Sequence, residues 1–280
     1  MDDAEQSQPM RDAPGDPALL ALATVDQVFP GDSDTERRAQ RSALEAAAVP
    51  HWCDAAILTA LIDDSGLLGP GLWNRLKELP VIGPSPAQGA DAGCVTPASR
   101  LAIKKRLAET QRARFLELSS RLTRLFAADM RPAGRIERIY HLMVVDPEQG
   151  TTELADLSRR WTAESRHEDL TVLADVLTEL DGSGLLRGRP RVRARLIVAQ
   201  YRADIAGATS LGDDAHELLR AAEAIGDPRL TADAQSERGD PRAEHAFIRY
   251  QTVFEQLTAL DPANADWRRV LAAARRLTGG

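Results

Sequence analysis

The chain has 280 residues and a net charge of −7, and it is rich in the strong helix formers Ala and Leu, which occur 45 and 35 times. A chain of this length buries enough surface to fold as one or two domains without disulfides or metals. Its two cysteines, Cys53 and Cys94, are too few for a disulfide scaffold or a cysteine-rich zinc site, and the chain is predicted to be mainly α-helical.

The first predicted segment is an acidic, flexible N-terminal tail over residues 1–33. Residues 1–36 carry nine acidic residues and one arginine, whereas residues 98–138 carry eleven basic and four acidic residues. The tail can therefore fold back on this basic middle, compete for its partner, or simply be solvated. It has no signal-peptide pattern, and no apolar stretch reaches transmembrane length, so we expect a cytoplasmic protein without membrane contact.

Residues 34–97 are predicted to form a winged-helix-like domain with a small β-hairpin. Ser33 and Glu36 have the spacing of a capping box, which predicts a helix start. Three helices follow at about 34–48, 52–63 and 70–79, and two short strands follow at about 80–83 and 93–95. Three helices followed by a hairpin is the layout of winged-helix domains, which are relatives of the helix-turn-helix.

The remainder of the chain is predicted to be helical, with a helical linker or bundle at 98–186 and degenerate tetratricopeptide (TPR)-like repeats at 187–280. Five Asp-Pro pairs mark helix starts, because Asp caps a helix and Pro suits its first position. Apolar residues recur at helical spacing and are interpreted as core, in the sets 115/118/122/125/126, 136/139/140/143/144, 170/173/177/180 and 247/250/254/257. Helix pairs separated by Pro-containing turns are typical of TPR units, although the usual period is not kept.

Five segments carry a resemblance to a known family. They are residues 51–54 (HWCD), 72–80 (LWNRLKELP), 100–107 (RLAIKKRL), 135–142 (RIERIYHL) and 146–150 (DPEQG). They resemble the region that follows the NTPase core in bacterial STAND-type signalling proteins, which have NACHT or AP-ATPase cores. The resemblance covers about residues 45–186, and it implies a winged-helix and helical region that TPR repeats often follow.

The chain departs from that family where nucleotide chemistry is concerned. No G-x-x-x-x-G-K-[ST] segment occurs, so we expect no P-loop, no nucleotide cofactor and no NTP hydrolysis by that mechanism. No histidine lies in H-E-x-x-H, and His51 and Cys53 are interpreted as packing residues and His141 as a partly buried histidine. We therefore predict no catalytic, cofactor-binding or metal-binding residues, and a protein that is not an enzyme.

Two groups of residues are candidates for binding. If a helix begins near residue 190, Arg191, Arg195 and Arg202 lie on roughly one face, which can bind an acidic partner segment or simply be solvated. The further candidates for partner binding are Tyr250 and Trp267.

The predicted recognition helix of the winged unit offers Asn74, Arg75 and Lys77 to DNA. Glu78 in the same helix would repel phosphate, and the negative net charge of the chain makes nucleic acid an unfavoured partner.

The leading prediction is a non-enzymatic adaptor or regulatory protein that binds a protein partner through a helical-repeat surface. By resemblance, the partner belongs to a bacterial signalling or conflict system, such as a separate NTPase or a protease effector. The alternative prediction is a winged-helix DNA-binding transcriptional regulator.

Overall fold

The computed structural model describes residues 16–62, 70–206 and 213–227, together with residues 231 and 234. These residues are mainly helical with one two-stranded antiparallel sheet, which confirms the predicted fold class at that level. The elements in the described part are α1 (Pro17–Val28), α2 (Asp34–Ala47), α3 (Ala55–Leu61), α4 (Pro70–Leu76), β1 (Ile82–Pro84), β2 (Gly93–Val95), α5 (Pro97–Thr110), α6 (Arg112–Leu125), α7 (Pro132–Val145), α8 (Pro147–Ala163), α9 (His167–Gly182), α10 (Gly188–Ala206) and α11 (Asp213–Ile225).

The chain divides into two compact units, Met1–His141 and Leu142–Gly280, which we call the N-terminal and C-terminal units. The division differs from the boundaries predicted at residues 97 and 186. Helix α5, which begins at residue 97, packs against α1 and α6, and the helices on either side of residue 186, α9 and α10, pack along each other. The predicted helices that begin near residues 240 and 261 lie outside the described residues.

Helix starts follow the caps predicted from the sequence. Asp16 accepts the backbone N–H of Ala18 at 2.9 Å, and α1 begins at the following proline. Ser33 and Glu36 form the predicted reciprocal capping box at the start of α2. Capping side chains satisfy N–H groups that a first helical turn leaves unpaired, so these short polar signals fix where the helices begin.

The N-terminal region is folded from α1 onward, which corrects the predicted tail. Helix α1 packs against α2 and α5, and it buries Ala18, Leu22 and Val25 at every third or fourth position. Asp16 also lies 3.6 Å from Arg106 of α5, so one acid at the head of this segment does meet the basic middle. Residues 17–33 are therefore not a flexible tail, because their apolar face is part of the core.

The hairpin follows α4 as predicted and is short. Ile82 pairs with Val95 and Pro84 with Gly93 across the two antiparallel strands. The indole N–H of Trp73 in α4 donates to the carbonyl of Asp91 at 2.9 Å, which ties the hairpin to that helix. The helix predicted from about residue 52 begins later, at Ala55, because Cys53 instead exchanges two backbone hydrogen bonds with Gly93.

The apolar periodicities of α6, α7 and α9 correspond closely to buried positions. The described residues of these sets are buried except for Leu125, which is 38% exposed, and Val144, which is half-buried. Leu125 is the last residue of α6, where the chain turns into a short 3₁₀ segment and the helical spacing no longer applies. The fourth set, residues 247–257, lies outside the described part of the chain.

The C-terminal unit is a layered set of helices. Helix α8 packs against α9, and α10 packs against both of them and against α11. A shared apolar cluster joins α10 to α11 through Val192, Leu196, Leu218 and Leu219. Helix α8 approaches the end of α7 so closely that a Cβ on Gly150 would lie 2.7 Å from the Met143 backbone, which explains the glycine at this position.

Candidate functional site

The C-terminal unit contains a pocket between α9, α10 and α11, which we call the α9–α11 pocket. Its volume is about 190 Å³ and it is partly open to solvent. Apolar and charged or polar side chains line it, namely Leu177, Thr178, Asp181, Arg195, Val198, Ala199, Arg202, Glu217 and Leu218. Leu177 and Leu218 are buried and form its floor, whereas the charged side chains are at least partly exposed around its entrance.

A chain of ion pairs connects the three helices at one end of this pocket. Asp181 of α9 accepts from Arg191 at 2.6 Å and contacts Arg195 at 3.1 Å. Arg195 of α10 also donates to Glu217 of α11 at 2.7 Å. This hydrogen bond holds the pKa of the Glu217 carboxyl below its ordinary value, and in turn it raises the pKa of Arg195. The carboxylates at this end are therefore already paired with guanidinium groups.

Arg202 occupies a different position in the pocket. It lies two turns beyond Arg195 on α10, and its Nη2 atom is 3.4 Å from the Thr178 hydroxyl. Within the described part of the chain, no carboxylate lies within ion-pair distance of Arg202, and its side chain is exposed. The pocket thus presents one guanidinium group that is held only by a long hydrogen bond to a neutral side chain.

The structure places Arg191, Arg195 and Arg202 together in α10, in agreement with the helix predicted there. Arg195 and Arg202 line the pocket. Arg191 does not line it, but it forms an ion pair with the lining residue Asp181. That they bind a partner stays a prediction. The candidates Tyr250 and Trp267 lie outside the described residues.

The sequence did not reveal Asp181 and Glu217, which are as much a part of this site as the arginines. They lie on α9 and α11, and only the packing of these helices against α10 brings them to Arg195. No local spacing signals such a meeting, because helical periodicity relates residues on one helix and not residues on its neighbours.

The N-terminal unit holds a second group of charged side chains, which we call the buried cluster. It comprises His51, Lys104, Glu137, Tyr140 and His141. One oxygen of Glu137 accepts from the His51 backbone N–H at 3.1 Å and lies 2.8 Å from its Nδ1 atom, and the other lies 3.3 Å from Nε2 of His141. Lys104 donates to the Tyr140 hydroxyl. Residues from three separate segments of the sequence, 51–54, 100–107 and 135–142, therefore meet here.

Burial and pairing act against each other in the buried cluster. Burial alone would raise the pKa of the Glu137 carboxyl, but the charge of His51, its hydrogen bond to Glu137 and the nearby imidazole of His141 hold that pKa well below its ordinary value. The pKa of His141 lies below its ordinary value because burial disfavours the imidazolium, which outweighs the attraction of Glu137. The cluster is thus a buried carboxylate held between two histidines.

The buried cluster has the features of a structural network. The side chains of Glu137 and His141 are at most 3% exposed, so both are shielded from solvent. Burial raises the pKa of the nearby Cys53 thiol, which keeps this sulfur protonated and weakly nucleophilic. Among the described residues, no three His, Cys, Asp or Glu side chains are grouped in a way that could hold a metal ion.

The residues predicted to meet DNA lie on or just after α4 and are partly engaged. Arg75 donates to both carboxylate oxygens of Asp32, at 2.9 and 2.7 Å, and its guanidinium lies 4.5 Å from the centre of the Phe29 ring. These hydrogen bonds hold the pKa of Asp32 below its ordinary value. Lys77 lies 3.5 Å from Asp91, and Asn74 is exposed. Both cations of this predicted interface therefore face a carboxylate of the same unit.

In the described part of the chain, no helix combines the length and the apolar character needed to span a membrane.

The sequence and the structure were also compared with known proteins. No protein-family model, no curated protein and no solved structure matches the chain.

Proposed function

We propose that the protein is a non-enzymatic adaptor that binds another protein through the helices of its C-terminal unit. The α9–α11 pocket is the observation that carries the proposal, because it combines an apolar floor with charged groups at an open entrance. Such a combination is what a protein surface needs to anchor a side chain of a partner and to choose between partners. By the resemblance of residues 45–186, the partner belongs to a bacterial signalling or conflict system, such as a separate NTPase or a protease effector.

The packing of the C-terminal unit supports a repeat-like arrangement. Helix α10 contacts both members of the preceding pair, α8 and α9, and then pairs with α11. Stacked helix pairs in which each new helix packs on the pair before it are typical of helical-repeat proteins, which use their extended surfaces for binding. We therefore interpret α10 and α11, within the predicted TPR-like region at 187–280, as one degenerate TPR-like pair that stacks on α8 and α9.

The N-terminal unit is interpreted as winged-helix-like, because α2, α3 and α4 precede the β1–β2 hairpin. The alternative function, DNA binding by α4, receives less support from its side chains. Arg75 and Lys77 each lie next to a carboxylate, so neither offers an uncompensated charge to phosphate. We propose that this unit serves the adaptor as a folded module and not as a DNA reader.

The adaptor function is tested by site-specific photo-crosslinking. The full chain carries p-benzoylphenylalanine in place of Thr178, an exposed residue that lines the pocket. It is expressed together with the products of neighbouring genes and irradiated, and the cross-linked species are identified by mass spectrometry. We expect one protein to be captured reproducibly.

The same amino acid in place of Val172 provides the matched control. Val172 lies on the same helix and is 51% exposed, but it does not line the pocket. Capture from position 178 and not from position 172 supports binding at the pocket. No capture from either position, together with tight binding of duplex DNA by the same preparation, would overturn the adaptor function in favour of the alternative.

A further inference from the structure

The charges around the α9–α11 pocket do not cancel completely. Arg191, Arg195, Asp181 and Glu217 form one connected set of two cations and two anions, and their contacts are between 2.6 and 3.1 Å. Arg202 stands outside this set and adds a positive charge at the pocket wall. A group that enters the pocket therefore meets at Arg202 a positive charge that no carboxylate of the described residues pairs with, while the lining charges Asp181, Arg195 and Glu217 are already engaged in ion pairs.

The size of the pocket limits what can occupy it. Its volume of about 190 Å³ is below the range of roughly 300–1,000 Å³ that is usual for small-molecule sites. The buried side chains of Leu177 and Leu218, with Val198 beside them, give it an apolar floor. It is thus suited to one or two side chains of a peptide and not to a nucleotide or a cofactor.

We propose that the α9–α11 pocket binds an acidic peptide segment of the partner, with a Glu or Asp side chain at Arg202 and a neighbouring apolar side chain on the floor. This inference rests on the proposed function and specifies its binding chemistry. A guanidinium group can form two parallel hydrogen bonds with a carboxylate. This interaction is stronger where apolar groups reduce its contact with water. The hydroxyl of Thr178, 3.4 Å from Arg202, is a weak contact that a carboxylate can readily replace.

The same contacts disfavour a basic segment. A lysine or arginine side chain entering the pocket would meet Arg202 directly, and it would have to compete with Arg195 for Glu217 and with Arg191 for Asp181. Like charges brought together at a binding site reduce affinity for the wrong partner. The arrangement therefore selects for acidic over basic segments as well as attracting the former.

The test uses two synthetic peptides and the full chain. One peptide alternates Glu and Leu, and the other has Gln in place of every Glu. Both are acetylated and amidated at their ends so that only side chains carry carboxylates. Binding is followed by fluorescence anisotropy. We expect the Glu peptide to bind at least about tenfold more tightly than the Gln peptide, since a charge-assisted hydrogen bond contributes on that order.

Two variants separate Arg202 from general electrostatic attraction. Arg202→Gln is expected to weaken binding of the Glu peptide about tenfold or more and to leave the Gln peptide unaffected. Arg187→Gln removes the same charge from an exposed arginine that does not line the pocket, and it is expected to have little effect. Circular dichroism and the thermal midpoint establish that both variants are folded.

Three results would overturn the inference: equal affinity for the two peptides, equal losses in the two variants, or no binding of the Glu peptide up to millimolar concentration. The proposed function is judged separately. Capture of a protein at position 178 alongside any of these results means that the adaptor function stands and the acidic specificity is wrong. A chain that binds the Glu peptide through Arg202 but captures no protein leaves the binding chemistry intact and removes support for the adaptor function.

Discussion

The buried cluster and the α9–α11 pocket use similar residues for opposite purposes. Both place carboxylates against cationic groups, but the Glu137 and His141 side chains are at most 3% exposed, whereas those of Arg195 and Glu217 are 37% and 62% exposed. A buried charge has lost its hydration and depends on its partners, while an exposed charge keeps water as an alternative. The charges of the buried cluster therefore depend on one another, whereas the charges of the pocket keep contact with water.

The first way to break this comparison is to remove the buried carboxylate. Glu137→Gln keeps the shape of the side chain but leaves His51 and His141 without the negative charge between them. Removing one partner of a buried charged pair typically costs about 3–5 kcal/mol. We expect the free energy of unfolding of the full chain to fall by about 3 kcal/mol in urea titrations monitored by circular dichroism.

The matched control is Glu117→Gln, which makes the same change at an exposed site. Glu117 pairs with Arg121 on α6, and its side chain is 59% exposed. The free energy of unfolding should therefore fall by less than about 1 kcal/mol. Equal losses in the two variants would mean that burial does not distinguish the buried cluster from a surface ion pair.

The second prediction concerns how tightly the C-terminal unit is packed away from its pocket. Gly150→Ala places a Cβ 2.7 Å from the backbone of Met143, which the adjoining helix cannot accommodate without shifting. Overpacking of this kind costs about 1–3 kcal/mol. We expect a lower thermal midpoint, measured by circular dichroism.

Gly182→Ala is the control within the same unit, because a Cβ there meets nothing within 4 Å. It should leave the midpoint unchanged or raise it slightly, since Ala favours the helix. If Gly150→Ala were equally harmless, the unit would be loosely packed throughout, and the pocket would not be a distinctive opening in it.

The third prediction uses pH to separate the two regions. The pKa of His141 is lowered in the folded chain, so the unfolded chain takes up a proton near pH 6.5 while the folded chain does not. The unfolded state then binds more protons, and stability falls as the pH drops below about 6.5, by at most about 1.4 kcal/mol per pH unit. The lowered pKa of Glu137 adds a further loss at pH values below its ordinary range.

Hydrogen exchange resolved by mass spectrometry can follow this loss within the full chain, after correction for the intrinsic effect of pH. Between pH 7 and 5, protection of α7 around His141 should decrease more than protection of α10. His141→Leu removes the titrating group, so its α7 protection should change less across this interval. A wild-type α7 that keeps full protection at pH 5 would contradict the prediction.

Local signals in the sequence predicted much of the fold. The capping box at Ser33 and the cap at Asp16 were readable because each depends on residues within three positions along the chain. The packing of helix α1 into the core was missed although its start was marked, because its negative surroundings suggested a solvated tail, while Ala18 and Val25 are both fully buried. Charge describes the exposed face of an amphipathic helix and says little about its other face.

The candidate site was less predictable, because it depends on contacts between helices. The sequence singled out Arg195 and Arg202, but not the acidic partners that leave one paired and the other available. The same limit applies to the basic middle of the chain. Arg114, for example, is used internally, since it pairs with Glu45 and contacts Ser42. Only the fold shows which charges are already compensated.

Of the substitutions considered, one at the rim of the pocket is expected to affect stability least. It tests the contrast between the exposed charges of the pocket and the charges of the buried cluster. Glu217→Gln removes the partner of Arg195 from an exposed position, so the thermal midpoint should not change measurably. Binding should change, however, because the pocket loses a negative charge and Arg195 keeps only Asp181 as an ionic partner, which leaves part of its guanidinium group to the Glu peptide. A unit charge a few ångströms away in a largely aqueous setting corresponds to an affinity gain of a few-fold, on the order of 1 kcal/mol. Anisotropy titrations of this variant with the Glu peptide check whether the affinity rises as expected. Weaker binding of the Glu peptide would mean that Glu217 positions the arginines rather than masking one of them.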